Sequence, residues 1–476
     1  MTIAPTVAAN PSPKVESSLP ERRLELLCDP HSFAPIRSGV VSSGLGARAA
    51  EGDGVVAGAG RVDGRPVFCY SQDPGFLGGS LGAAHAESIV RVMRLAGDSG
   101  VPVVGFVESG GARLQEGHAA LAGYGRIFRA SVDLADRVPQ VSIVTGVSAG
   151  GGAYSPALTD FIVMTDEARL FLTGPRVVEA ALGEQVSMEE LGGPAVHSRN
   201  GVCQLEAEDE GGAAVQAREL LGLLPPRIGA PAPRAPFAVD PEADPAASVP
   251  DDPRRVYDVR EPARAIVDAG ELVELGAGWA RNMVTALARI DGRPVGLIAN
   301  QPRYLGGVID AAAAEKAALF VNSCSKFGLP LVVLVDTPGF MPGQRQEKSG
   351  VIRHGASLLR AFASARVPKL TVILRKAYGG AVITMNSKEL GADLVFAWPS
   401  AEIGIMAATQ AVGIFERRAL AEAEDVAATQ TKLAEEYADS HLEAHRAAGS
   451  GFVDEVIEPS ASRARLAWAL GALERR

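Results

Sequence analysis

The chain has 476 residues, of which 47% are hydrophobic and 21% charged, and its formal net charge is −10. That length allows two or three domains with ample core. The acidic balance argues against a nucleic-acid partner, whose phosphates need basic surface. No apolar run approaches the ~20 residues of a membrane span.

The N-terminus, "MTIAPTVAANPSPKVESSLP", has neither the basic start nor the apolar core of a secretory signal. Residues 1–20 read as a disordered tail. Four cysteines, Cys28, Cys69, Cys203 and Cys324, form no CxxC pair, which argues against a zinc ribbon and for a reducing, cytoplasmic setting. The seven histidines are His31, His85, His118, His197, His354, His441 and His445, and none makes an HxH or HExxH pattern. No bound metal is therefore expected. His441 and His445 stand i, i+4 in a charged helical segment and read as a solvated face.

The chain repeats itself. "RVDGRPV" at 61–67 returns as "RIDGRPV" at 289–295, an offset of 228. At that offset Leu77-Gly78-Gly79 meets Leu305-Gly306-Gly307, Gly100 meets Gly328, and Glu108 meets Asp336, without a gap for about fifty residues. Further on, "VSIVTGVSAGGGAY" (141–154) pairs with "LTVILRKAYGGAVI" (370–383), offset by one more. Between them, residues 226–253 are dense in proline and lack periodicity, as an extended surface connector would be. The reading is two homologous α/β domains, 21–225 and 254–476.

Each half has the same local grammar. "GRPVFCYSQD" and "GRPVGLIANQ" read as strands. "AAHAESIVRVMRLAGDSG" and "AAAAEKAALFVNSCSKFG" have helical spacing and end in a C-cap glycine. "VPVVGFVES" and "LPLVVLVDT" are continuous apolar runs typical of buried parallel strands. The loops that follow such strands usually carry the sites of α/β folds. Two glycine clusters, Gly150-Gly151-Gly152 and Gly379-Gly380-Ala381, each follow a strand and precede a helical segment. Two backbone amides aimed at one oxygen form an oxyanion hole. Alternatively, the glycines serve only tight turns and close packing, but their duplication favours function. There is no G-x-S-x-G elbow and no Walker motif, so backbone amides and a cofactor suit this chain better than a triad.

The stretches "SQDPGFLGGSLG", "ESGGARLQEG", "AGGGAYSPALTDF", "LGGPAVHSRNGV", "DTPGFMPGQRQE", "RKAYGGAVITMNSK" and "GFVDEVIEPS" together resemble the carboxyltransferase (β) subunit of biotin-dependent acyl-CoA carboxylases. The propionyl-/acetyl-CoA carboxylase β chains of actinobacteria are the most similar. The resemblance runs from about Asp53 to about Leu466. It implies a duplicated crotonase-like (ββα-spiral) fold and a homohexamer, a trimer of dimers with sites at the dimer interface. It implies acyl-CoA on the N-half and carboxybiotin on the C-half, with biotin carried by a separate biotin carboxylase/carrier α subunit. A small epsilon-type subunit is also compatible with it.

On that basis the amides of Gly150 and Gly151 would hold the thioester oxygen as it becomes an enolate, and those of Gly380 and Ala381 the ureido oxygen of biotin. Gly110, Gly111 and Ala112 would let CoA lie close. Arg113 would either steer a carboxylate or CoA phosphate or be solvated at the surface. Gly339, Gly343 and Gly379 would shape the biotin side. The chain departs from the family pattern at Gln344, Arg345 and Val382, the last standing where an aromatic is usual. Ile383, where members differ with their acyl substrates, would favour an alkyl chain, longer or branched as in polyketide supply. A biotin-dependent decarboxylase uses the same chemistry in reverse and is the alternative. A crotonase-type hydratase or hydrolase fits less well, since it needs one half and a placed carboxylate.

Overall fold

The computed structural model describes residues 17–237, 243–252 and 254–474. The N-half opens with helix α1 (Leu19–Leu27), a short strand β1 (Ala34–Ile36), and the hairpin β2 (Val55–Val62) and β3 (Arg65–Gln72). Helix α2 (Ala83–Ser99), β4 (Val103–Ser109), α3 (His118–Leu134), β5 (Gln140–Ala149) and α4 (Gly151–Ala157) follow. The half closes with β6 (Phe161–Thr165), β7 (Arg169–Phe171), α5 (Met188–Gly192), α6 (Pro194–Asn200), β8 (Leu205–Ala207) and α7 (Glu210–Leu223).

The C-half begins with α8 (Arg260–Ile266), β9 (Val273–Glu274), the hairpin β10 (Met283–Ile290) and β11 (Arg293–Asn300), and α9 (Ala311–Phe327). It continues through β12 (Leu331–Thr337), α10 (Val351–Ser364), β13 (Lys369–Tyr378), α11 (Gly380–Thr384), β14 (Leu394–Ala397) and β15 (Glu402–Gly404). Helices α12 (Val426–His441) and α13 (Ala444–Gly449), strand β16 (Glu455–Val456) and helix α14 (Ser462–Ala472) complete it.

The two sheets have one topology. The first runs β1-β2-β3-β4-β5-β6-β8, with β7 joined to β5. The second runs β9-β10-β11-β12-β13-β14-β16, with β15 joined to β13. The repeated heptapeptides are the two hairpins. Asp63 (φ 49°) and Gly64 (φ 75°) turn the first, and Asp291 (φ 55°) and Gly292 (φ 73°) the second. Successive positive φ values are what a two-residue hairpin loop requires, and Asp-Gly supplies them cheaply. As the pattern predicts, α2 and α9 end on left-handed glycines, Gly100 and Gly328. Strands β4 and β12 are parallel to both neighbours and almost wholly buried.

One apolar core runs through both halves, from Phe106 and Ile143 to Ile298, Val333 and Phe362. At the seam Phe161 stacks on Phe327 with centroids 6.0 Å apart, and Asp160 pairs with Lys326. The buried Lys316 ammonium donates to the carbonyls of Gly276, Trp279 and Met283 at 2.8–2.9 Å. Three N–H groups meet three acceptors, which offsets the cost of burying the charge. This holds the C-half loop whose Gly276 amide bonds Gln204 of the N-half.

Two boundaries differ from expectation. Helix α1 begins at Leu19, inside the segment read as a tail, because Ser18 and Glu21 form a capping box; the tail up to residue 16 lies outside the described residues. The connector is also more than a surface strap. Ile228 donates its amide to Arg137, Ala235 donates to Gly292, and Pro250 and Asp252 accept from the buried Arg375. His441 and His445 are both exposed but do not share a helix, since α12 ends at His441.

Candidate active site

Strand β5 enters α4 through Gly150 (φ 58°, ψ −120°), and β13 enters α11 through Gly379 (φ 61°, ψ −146°). A side chain would be strained in that region, so both junctions need glycine. The sharp turn brings each glycine amide onto a short neighbouring strand. Gly150 donates to the Phe171 carbonyl of β7 at 3.1 Å, and Gly379 donates to the Gly404 carbonyl of β15 at 2.9 Å. The next two amides in each half, Gly151 with Gly152 and Gly380 with Ala381, have no acceptor among the described residues. Gly152 and Ala381 are nevertheless buried. Amides in the first turn of a helix have no intrahelical acceptor, so both pairs are free to meet an external one.

This corrects one expectation. The Gly150 amide, expected to be free, is bonded to β7. The open pair lies one residue on, Gly151–Gly152, which matches Gly380–Ala381 at the 229 offset seen in sequence. The two pairs differ in crowding. A Cβ on Gly151 would lie 2.6 Å from the Tyr124 ring, whereas one on Gly380 would meet nothing within 4 Å.

The loops after β4 and β12 are built alike. Ser109 Oγ accepts the amide of Gly111, and Thr337 Oγ1 that of Gly339, both at 3.3 Å. Gly111 (φ 100°) and Gly339 (φ 132°) then turn the chain, and Ala112 and Phe340 bridge to Leu81 and Ile309. Gly110 is exposed and anchored to Gly78 through its amide. Gly343 (φ 116°) caps the exposed helix Gln344–Lys348, which carries Arg345.

Arg113 is neither at the surface nor open to a ligand. Its side chain is fully buried, with Nη1 at 2.6 Å from Asp53 and 2.8 Å from Glu116, and Nη2 on the carbonyls of Asp53 and Ser80. Asp53 and Glu116 draw the guanidinium inward, so it fastens the loop rather than meeting substrate. Burial pushes the Asp53 carboxyl above its usual range despite Arg113. Burial pushes Glu116 the same way, but the Ala83 amide, Arg113 and Ser42 outweigh it and hold that carboxyl low.

The repeat aligns two carboxylates behind the strand exits, Glu108 and Asp336, that no motif marks as part of the site. Glu108 meets Arg23 at 2.6 Å, and the buried Asp336 meets Arg375 at 3.1 Å. Each strand thus ends on a carboxylate held by an arginine, which fixes the direction of the loop beyond. Burial raises the Asp336 carboxyl against the pull of Arg375 and Lys376.

Beside the C-half pair lies a cavity of about 460 Å³, lined in part by Gly380, Val382, Ile383, Ile403, Ile405 and Phe452. His441, stacked on Tyr437 at 4.4 Å, also reaches it. Ile383 is 46% exposed there. The larger cavity of about 780 Å³, around Arg218, Phe237 and Arg289, contains neither amide pair. Among the described residues no group of three or more His, Cys, Asp or Glu could hold a metal ion.

The sequence matches the carboxyl transferase domain family over residues 16–476. It is 44% identical to the methylmalonyl-CoA carboxyltransferase 12S subunit of Propionibacterium freudenreichii, covering 94% of this chain and 87% of that one. It is 46% identical to the propionyl-CoA carboxylase beta chain of Saccharopolyspora erythraea, with 95% and 86% covered. It is 44% identical to the methylmalonyl-CoA decarboxylase subunit alpha of Propionigenium modestum, with 89% and 83% covered. The solved transcarboxylase 12S structure, a hexamer with methylmalonyl-CoA bound, superposes with a TM-score of 0.90 at 44% identity over 96% of this chain and 89% of that one. Two equivalent sheets, two equivalent open amide pairs and these matches lead to one conclusion: the chain belongs to the carboxyl transferase family and has its duplicated crotonase-like α/β fold.

Proposed function

We propose that this chain is the carboxyltransferase subunit of a biotin-dependent acyl-CoA carboxylase, moving CO2 from carboxybiotin to the α-carbon of an acyl-CoA. The observation that carries this reading is the pair of equivalent open amide sets, one per half. Carboxyl transfer develops negative charge on two oxygens, the thioester oxygen and the biotin ureido oxygen. Each oxygen needs preorganised donors, and a single donor is worth roughly 3–4 kcal/mol. Gly151 and Gly152 serve the thioester oxygen as the α-proton leaves. Gly380 and Ala381 serve the ureido oxygen, and the apolar wall beside them suits a bicyclic ring with one carbonyl. Carboxybiotin, carried on a separate α subunit, supplies the CO2 and then a ureido nitrogen able to take the α-proton. No side-chain base is required.

Apolar side chains stand exposed around both pairs: Tyr154 and Leu172 in the N-half, Ile383 and Ile405 in the C-half. Their exposure supports a homohexamer in which the N-half of one subunit faces the C-half of its partner and covers them, with water kept from the cleft. Gly110, Gly111 and Ala112 lie where CoA would pass, and Gly339, Gly343 and Gly379 shape the opposite wall. Ile383 and Val382 favour an alkyl acyl group, longer or branched. Four free, buried cysteines suit a reducing cytoplasm. The decarboxylase relative favours a second reading, the same transfer run from a malonyl-type CoA back to biotin.

The test mixes the chain with a biotinylated α subunit, ATP, Mg2+ and labelled bicarbonate, and offers acetyl-, propionyl-, butyryl- and longer acyl-CoAs. Acyl-CoA-dependent fixation is expected. No fixation with any of them, using an α subunit shown to carboxylate its own biotin, contradicts the carboxylase reading.

A further inference from the structure

The stretch "LGGPAVHSRNGV" has no part in the chemistry above, yet it reaches the N-half site through one bond. The openness of Gly151 and Gly152 depends on β7, because the Phe171 carbonyl takes the Gly150 amide and fixes the turn. Strand β7 is only three residues long and pairs with the end of β5 at Val147, Ser148 and Ala149. Along a strand successive carbonyls face opposite sides. Phe171 faces Gly150, so the Leu170 carbonyl faces away from β5. There His197 Nε2 meets it at 2.6 Å.

His197 sits on α6, pressed against β7 by a close approach. A Cβ on Gly192 would lie 2.1 Å from the Leu170 carbonyl oxygen, so only glycine lets α5 come this near. Asn200 Nδ2 lies 3.3 Å from His197 Nδ1. The amide donates and Nδ1 accepts, which leaves the ring proton on Nε2, where Leu170 needs it. In the C-half the corresponding strand, β15, is held by backbone instead: the Ile403 amide donates to the Leu442 carbonyl at 2.8 Å. The two amide pairs are equivalent, but the outer contact on the central residue of the short strand comes from a side chain in the N-half and from backbone in the C-half.

We infer that His197 is a positioning residue for the acyl-side amide pair, acting through Leu170, Phe171 and Gly150. The inference rests on the carboxylase reading. It predicts that losing the Nε2–H donor harms the acyl half of the reaction more than the biotin half, since a small misplacement of oxyanion donors is costly.

The experiment compares His197→Leu and His197→Gln hexamers with the unaltered chain, each with the same biotinylated α subunit. Gln keeps an N–H donor at similar reach. Two reactions are read: acyl-CoA carboxylation, and CO2 release from carboxybiotin without acyl-CoA. For His197→Leu, kcat for carboxylation should fall tenfold or more while KM for acyl-CoA stays within threefold. That fall should exceed any fall in CO2 release at least fivefold, and His197→Gln should recover most of it. Equal losses in both reactions, a kcat within twofold of the unaltered chain, or no rescue by Gln overturns the assignment. If His197→Leu yields no hexamer, Asn200→Leu carries the test: kcat should fall threefold or more, and an unchanged kcat overturns the assignment. Absence of fixation by the unaltered chain would instead sink the carboxylase reading itself.

Discussion

Asp29 and Asp268 hold equivalent hairpin turns in the two halves. Asp29 accepts the amides of Asp63 and Gly64 at 3.0 and 2.8 Å, and Asp268 those of Asp291 and Gly292 at 3.0 and 2.7 Å. Each is in turn gripped by an arginine from its half's last helix, Arg218 on α7 and Arg463 on α14. Each arginine also caps a carbonyl near the end of its half's first helix, Leu27 or Ile266. The fold was therefore duplicated from its first helix to its last.

Burial distinguishes the two aspartates. Asp268 is buried, whereas the Asp29 side chain is 24% exposed. Asp268→Ala should cost about 3–5 kcal/mol, the usual range for breaking a buried pair. Asp29→Ala should cost less, about 1–2 kcal/mol. Urea unfolding of the two variants measures both, and an equal cost would contradict the burial argument.

Arg113 should prove structural. Arg113→Leu strands two carboxylates, one of them fully buried, and should lose about 3–5 kcal/mol. Arg113→Lys should rescue little, because one ammonium cannot reproduce contacts to Asp53, Glu116 and Ser80 made by two guanidinium nitrogens. The thermal midpoint should fall in both. A variant with normal stability but weakened acyl-CoA binding would instead return Arg113 to the ligand.

Acid should weaken the N-half through His85. Its ring is fully buried, and burial, with Arg113 nearby, depresses its pKa to about 3. Gln72 Nε2 donates to His85 Nε2 at 3.2 Å, since Gln72 Oε1 is occupied by the Glu108 amide. The ring is thus held neutral. The unfolded chain binds a proton below about pH 6.5 and the folded one does not until about pH 3. Stability from this group is full above pH 6.5 and declines as pH falls, by up to ~1.4 kcal/mol per unit. The buried Asp53 and Asp336, with raised pKa values, act in the opposite direction. The comparison with His85→Gln isolates the effect: the unaltered chain should lose stability faster between pH 7 and 5. Parallel curves would contradict it.

The strands, the hairpins and the duplication were legible because their signals are local: Asp-Gly turns, apolar runs, C-cap glycines. What was not legible depends on distant partners. Asp29 and Asp268 stand outside the gapless stretch, and their spacing of 239 hides the correspondence. Gly150 looks as free as Gly151, because the Phe171 carbonyl that takes its amide lies on another strand. Arg113 reads as a loop cation because Asp53, sixty residues earlier, is not adjacent in sequence.

Gly380→Pro separates chemistry done by open amides from chemistry done by side chains. Proline deletes one amide at the first residue of α11, where proline suits a helix, and a Cβ there meets nothing within 4 Å. With biotinylated partner and labelled bicarbonate, kcat for acyl-CoA carboxylation should drop roughly 10²–10³-fold, with a thermal midpoint within a few degrees of the unaltered chain. A folded Gly380→Pro hexamer that fixes CO2 at the normal rate would contradict the account.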